Sequence, residues 1–299
     1  MKLKKYISLT IGLICSTIAN AQMFSFTEQT QFMHNPSLAG ITPQGAALGF
    51  QRQVASIKDS PNLIYALFTG KISDQITLGG ALVNQRFFVQ NNTEILADFS
   101  YALPLGRRDD QTLFLGVKAG GNLYSINADK IDTHNPAFDP LLQSISNKIE
   151  PLVGAGVTYQ LGDFYIAVGS GNLLKSVAYN SQKITETTSV VGATNFTAMA
   201  GYNWHISREL TLKPYVRWGM YQKQKQGHLL IKTSAQYLEK FDFGIAHEWQ
   251  RTFSAYFLAK VWQNKLQLGY AYTTLSNSEL QQHAQGSHEF IVKYLLDLL

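Results

Sequence analysis

The sequence predicts an all-β fold: a transmembrane antiparallel β-barrel of the outer-membrane type, with fourteen strands and an N-terminal signal peptide. Three observations carry this. First, from residue 44 to the end, segments of roughly ten residues alternate apolar with polar or small side chains, with turn residues between them. The clearest puts Ile95, Ala97, Phe99, Tyr101 and Leu103 on one face and Glu94, Asp98, Ser100 and Ala102 on the other. Successive strand side chains point to opposite faces, so each segment has an oily side and a wet side. Second, hydrophobic residues reach 45% and charged residues only 15%, against roughly a quarter charged in an average soluble domain. The aromatic share of 12%, with 15 Tyr and 17 Phe, suits girdles at the two membrane boundaries. Third, no uninterrupted apolar run long enough for a membrane helix follows the first residues. A soluble periplasmic all-β protein shares the alternation. The length of the segments and their context favour a barrel whose oily side faces lipid.

The elements follow in chain order. Lys2, Lys4 and Lys5 precede an uncharged stretch from Tyr6 to Ile18, and Ala19-Asn20-Ala21 supplies a small-x-small cleavage pattern. Residues 1–21 read as a secretory signal cut between Ala21 and Gln22, its core too short to cross a bilayer. Cys15 lies inside it behind Ile14, which does not fit a lipoprotein signal. Beyond it the chain has no cysteine, so no disulfide, zinc thiolate or thiol nucleophile is available. Removing the signal leaves 22 basic and 20 acidic residues, a net charge of +2. With no Lys/Arg block, no nucleic-acid partner is expected. Residues 22–43 form a segment at the periplasmic mouth or in the lumen, a choice the sequence leaves open, and residues 44–299 form the barrel.

Fourteen strands are predicted at 44–53, 61–72, 75–88, 92–103, 111–124, 150–160, 163–172, 191–206, 209–222, 227–238, 240–249, 252–263, 265–274 and 286–298. The third and tenth are the weakest patterns, and Pro214 is unusual within a strand interior. Connections after even strands are short, and the three long ones, Ser125 to Ile149, Leu173 to Val190 and Leu275 to Gln285, follow odd strands. A barrel entered from the periplasm has this asymmetry. An even count closes the sheet with both termini on the periplasmic side and no free edge. The wet faces carry Gly116, Gly120, Gly154, Gly156, Gly169, Gly201, Gly244 and Gly269. Their charged members are Glu94, Asp98, Lys118, Lys213, Arg217, Asp242, Glu248 and Lys293. Such an interior can be water-filled or plugged.

Catalytic signatures are absent: no Gly-rich phosphate loop, no Gly-x-Ser-x-Gly elbow and no His-Glu-x-x-His helix. His247-Glu248 and His288-Glu289 lie in strands, where neighbouring side chains face opposite ways and cannot share a metal. Asp129, Asp132 and Asp139 fall in a long loop without the spacing of a calcium loop and read as a solvated outer surface. No enzyme activity, cofactor or metal is expected.

Gln31-Phe32-Met33-His34-Asn35-Pro36-Ser37-Leu38-Ala39-Gly40 stands just before the first strand. Arg52 ends that strand and Ser60-Pro61 opens the second. Asp139-Pro140, Glu150-Pro151, Phe164-Tyr165, Asn172-Leu173 and Gly286-Ser287-His288-Glu289-Phe290 follow in order. Together these resemble the PorP/SprF family. In departure from it, Ser37-Leu38 stand where the family often has Ala and an aromatic residue, and Asp59-Ser60-Pro61 replace the usual Gly-Ala-Pro. The resemblance implies an outer-membrane component of the type IX secretion and gliding machinery, working through partners and without chemistry of its own. The implied partners are outer-membrane lipid, a secreted adhesin's C-terminal domain, and periplasmic type IX or peptidoglycan-linked proteins. It gives Asn35, Pro36, Gly40, Arg52, His288 and Glu289 as motif residues without a stated role. The alternative is a diffusion channel or small-solute transporter, for which the polar lumen speaks.

Overall fold

The structure is a computed structural model that describes residues 24–53, 60–106, 110–126, 145–174, 195–221, 227–249, 251–275 and 286–296. The cleavage site at Ala21 and Gln22, and Asp129, Asp132 and Asp139, lie outside these residues.

Hydrogen-bonded β-segments form one sheet of purely antiparallel neighbours. In chain order they are β1 (Gly45–Arg52), β2 (Asn62–Lys71), β3 (Ile76–Phe87), β4 (Gln90–Pro104), β5 (Gln111–Ile126) and β6 (Ile145–Leu161). Next come β7 (Phe164–Ser170), β8 (Asn195–Tyr202), β9 (Trp204–His205), β10 (Leu210–Tyr221) and β11 (Gly227–Tyr237). The last four are β12 (Phe241–Glu248), β13 (Thr252–Val261), β14 (Leu266–Leu275) and β15 (Ser287–Leu295). The first strand pairs with the last, from Gly45 opposite Leu295 to Arg52 opposite His288, and this closes the cylinder. Closure satisfies the backbone polar groups without water, the condition for crossing hydrocarbon.

Fifteen segments make fourteen staves, because β8 and β9 are one stave broken at Asn203. Both halves pair with β10 in a single register, Tyr215 opposite Gly201 and Leu212 opposite Trp204. The unpaired positions between them include Pro214. A proline has no N–H to give the ladder, so the pairing lapses there and resumes beyond it.

Both weak staves form, β3 and β11, with ends within two residues of the predicted ones. The main departure is β6, which starts at Ile145 instead of residue 150. Its added residues pair with the extended top of β5 across a bulge between Tyr124 and Ile126. The long connections 127–144, 171–194 and 276–286 all leave the end opposite to that holding Gly45 and Leu295. The alternation sets the two faces as predicted: on β4, Ile95 is 53% exposed and Glu94 fully buried.

Candidate functional site

The lumen holds the chain's own N-terminal segment. Residues 24–43 carry an α turn at Thr27–Thr30 and 3-10 turns at Gln31–Met33 and Pro36–Ile41. Phe24, Phe26, Phe32, Met33 and Leu38 are buried, and together with inward residues such as Leu63, Tyr65, Val83 and Met199 they make the main apolar core. A barrel of this kind turns its oily side chains to lipid, so its interior core needs this segment.

The Asn-Pro motif builds the central contact. Asn35 has extended backbone and caps the second 3-10 turn, its Oδ1 accepting from the Ser37 N–H at 3.1 Å, with Pro36 at the first turn position. The Asn35 side chain presses on Gly156 and Gly169, where an added Cβ would collide with it. Gly116 likewise leaves room for the backbone of Pro36 and Ser37. Ser37 Oγ shares a 2.7 Å hydrogen bond with Thr158 Oγ1, and Ser100 Oγ donates to the Ser37 carbonyl at 3.0 Å. Gly40 fits under the Phe114 ring for the same steric reason.

Charged groups on the wall hold the rest. Lys118 Nζ donates to the carbonyls of Phe32 (3.2 Å) and Met33 (2.9 Å) and pairs with Asp98 at 3.0 Å, both side chains fully buried. Lys213 pairs with Glu28 of the plug at 3.4 Å and with Asp242 at 3.6 Å. Lys232 Nζ donates to Thr27 Oγ1 at 2.7 Å and lies 4.5 Å over the Tyr256 ring. Glu289 accepts from the Ser25 N–H at 2.8 Å and from Tyr65 Oη at 2.7 Å. Lys293 Nζ donates to the Pro43 carbonyl at 2.6 Å.

Two plug groups are electrostatically displaced. Burial pushes the Glu28 carboxyl up, but Lys213, Lys232 and Lys260 together outweigh it and hold the group below its ordinary range. His34 is driven well below its ordinary value by burial and by the charges of Arg217 and Lys118, so it sits neutral, and its Nε2 has no hydrogen-bond partner among the described residues. A cavity of about 200 Å³ remains beside the plug, lined by Glu28, Gln31, Asp163, Tyr165, Lys213 and Tyr215 among others.

The motif residues divide between two places. Asn35, Pro36 and Gly40 belong to the plug and seat it against β4, β5, β6 and β7, while Glu289 holds it from β15 at Ser25. Arg52 and His288 stand opposite each other on β1 and β15, away from it. Arg52 Nε donates to Ser60 Oγ at 3.3 Å, and His288 Nδ1 lies 2.8 Å from Tyr270 Oη. Glu289 is buried while its neighbour His288 is half-exposed, so the pair faces opposite ways. No cluster of three or more His, Cys, Asp or Glu able to hold a metal occurs among the described residues. The sequence does not single out Tyr65, Thr158 or Lys232, though each sits on an inward parity that the alternation gives.

Sheet closure, an oily exterior and an interior filled from the N-terminus define a plugged outer-membrane β-barrel. The fold is similar to the outer membrane protein Omp33 of Acinetobacter baumannii (TM-score 0.50, 8% identity, covering 85% of this chain and 99% of that one). A FadL homologue from Pseudomonas aeruginosa aligns at TM-score 0.45 and 10% identity over 87% of this chain and 91% of its own. No curated protein sequence matches. The sequence profile of the type IX secretion system membrane proteins PorP/SprF matches residues 17–294, and the chain belongs to that family.

Proposed function

We propose that this barrel carries no chemistry and serves the type IX secretion and gliding system by contact. It binds, tethers or helps export a secreted surface protein through that protein's C-terminal domain, or anchors periplasmic parts of the machinery. Membership of the PorP/SprF family supports the system. The observation that carries the mode of action is the lumen packed with residues 24–43. A barrel filled by its own chain is better suited to holding a partner on its rims than to passing solutes, the role of the alternative diffusion channel. Loops on a rigid scaffold are the usual place for such contacts. Residues 1–21 are proposed to be removed as a secretory signal, so mass spectrometry of the purified protein should find Gln22 at the N-terminus. Clean deletion of the gene, followed by labelling of surface proteins with a membrane-impermeant reagent, tests the main reading. Loss of specific surface proteins is expected, and normal display of every one of them contradicts it.

A further inference from the structure

One rung of the inner wall carries more donors than its surroundings use. Tyr165 on β7, Gly201 on β8, Tyr215 on β10 and Lys232 on β11 stand opposite one another in turn. All four line the cavity of about 200 Å³ beside the plug. A Cβ at Gly201 would collide with the Tyr165 ring, so glycine lets that ring lie across the rung.

Lys232 is 3% exposed, and its ammonium has three hydrogens to place. One goes to Thr27 Oγ1 at 2.7 Å, and the charge lies 4.5 Å over the Tyr256 ring. No carboxylate comes within ion-pair distance of it among the described residues; Glu28 and Asp242 are both engaged by Lys213. An uncompensated charge in an interior is costly, so a buried cation calls for an anion. The Tyr215 hydroxyl, across the rung from Lys232, is also buried and without a partner among the described residues. A buried tyrosine hydroxyl ordinarily has one. Lys260 adds a further positive charge that reaches Glu28. Asp163 at the rim is half-exposed and engaged with His205.

We propose that this cavity binds the carboxylate at the end of a periplasmic partner's chain, with Lys232 and Tyr215 as its donors. A carboxylate is an acceptor only, carries one charge and has two oxygens, enough to satisfy both groups. Glu28 and Asp242 nearby make that single charge easier to admit than the double charge of a phosphate monoester. Entry is from the periplasmic side: Asp163 and Asn203 line the cavity, are exposed, and stand at the barrel end that holds Gly45 and Leu295. Thr27, Glu28 and Gln31 of the plug close the other side, so the cavity admits a chain end and not a through-running chain. Its volume lies below the roughly 300–1,000 Å³ of pockets that enclose drug-sized ligands, which suits a single terminal residue. This deepens the anchoring part of the proposed role and names a surface for it.

The test uses the purified full-length protein in detergent, with acetyl-tetra-alanine, its C-terminal amide, acetate and inorganic phosphate as probes. Saturation-transfer NMR titrations follow the organic probes, and phosphate is scored by its displacement of the acid. The peptide acid is expected to bind at least tenfold more tightly than the amide, which lacks only the charge. Lys232→Met should weaken the acid at least tenfold and Tyr215→Phe several-fold. Equal binding of acid and amide, or no binding of the acid, overturns the site. So does undiminished binding in Lys232→Met once heat-modifiable gel mobility shows that the variant is folded. If it does not fold, Tyr215→Phe, which removes one oxygen, decides in its place: unchanged affinity overturns the site. Acetate or phosphate binding as tightly as the peptide acid assigns the donors to a free ion and overturns the chain-end reading. The readout is binding to the isolated barrel, so failure here leaves the deletion phenotype, and the proposed role it tests, standing.

Discussion

Gly116→Val is expected to unseat the plug while leaving the stave in place. A Cβ at residue 116 would fall on backbone atoms of Ser37 and Pro36, which cannot rotate aside as a flexible side chain can. Overpacking of this kind costs about 1–3 kcal/mol. A middle value near 2 kcal/mol changes the ratio of seated to unseated plug by a factor of about 30. The probe is a single cysteine placed by Met33→Cys, since Met33 is fully buried in the plug and the Lys118 contact is to its carbonyl, which the change preserves. Thiol labelling then follows the unseated population. Labelling of the Met33→Cys thiol should rise about 30-fold in the Gly116→Val background, following the ratio above. Gly121→Val is the control, because the nearest atom to a Cβ there is 3.7 Å away. An unchanged labelling rate in Gly116→Val, or an equal rise in both variants, would refute the steric seat.

Further expectations concern the charged and titrating groups. Lys118→Met leaves Asp98 buried without its counter-charge and should cost about 3–5 kcal/mol in urea unfolding, whereas the double variant with Asp98→Asn should recover most of that loss. Tyr65→Phe removes the hydroxyl donated to Glu289; a hydrogen bond to a charged group is worth about 1.5–3 kcal/mol, and unfolding in urea measures it. His34 gives a pH dependence. Its folded value lies well below 6.5, so the unfolded state binds the proton first, and seating is at full strength above pH 6.5 and weakens as pH falls below it. Labelling of the Met33→Cys thiol should therefore rise on acidification below pH 6.5, and His34→Leu should flatten that rise. Glu28 is depressed below its ordinary value of 4.5. Its contribution should persist at pH 6 and fade only below 4.5, and Glu28→Gln should abolish that acid limb.

The barrel is legible in the sequence because lipid outside and a packed interior impose a strict period of two. One slip would turn Glu94 or Asp98 toward hydrocarbon, so the pattern carries register as well as strand type. The asymmetry of connections supports the count independently of any single strand. Residues 24–43 are not placeable from sequence, because their short turns carry neither a strand period nor a sustained helical one. Their burial depends on contacts more than 200 positions away, such as Ser25 with Glu289. Hints exist in retrospect: Gly116, Gly156 and Gly169 share the inward face with Lys118, and small residues there leave room for a second chain. The predicted range 163–172 overruns the short stave β7, because Gly171 and Asn172 continue the alternation while the Asx turn at Asn172 ends the ladder.

The most direct test of the plugged barrel is conductance of the full-length protein in planar bilayers. With residues 24–43 seated, the wild-type barrel should show no stable open channel, and Gly116→Val should produce openings. A large, steady conductance from the wild type would contradict the plug and favour solute transport.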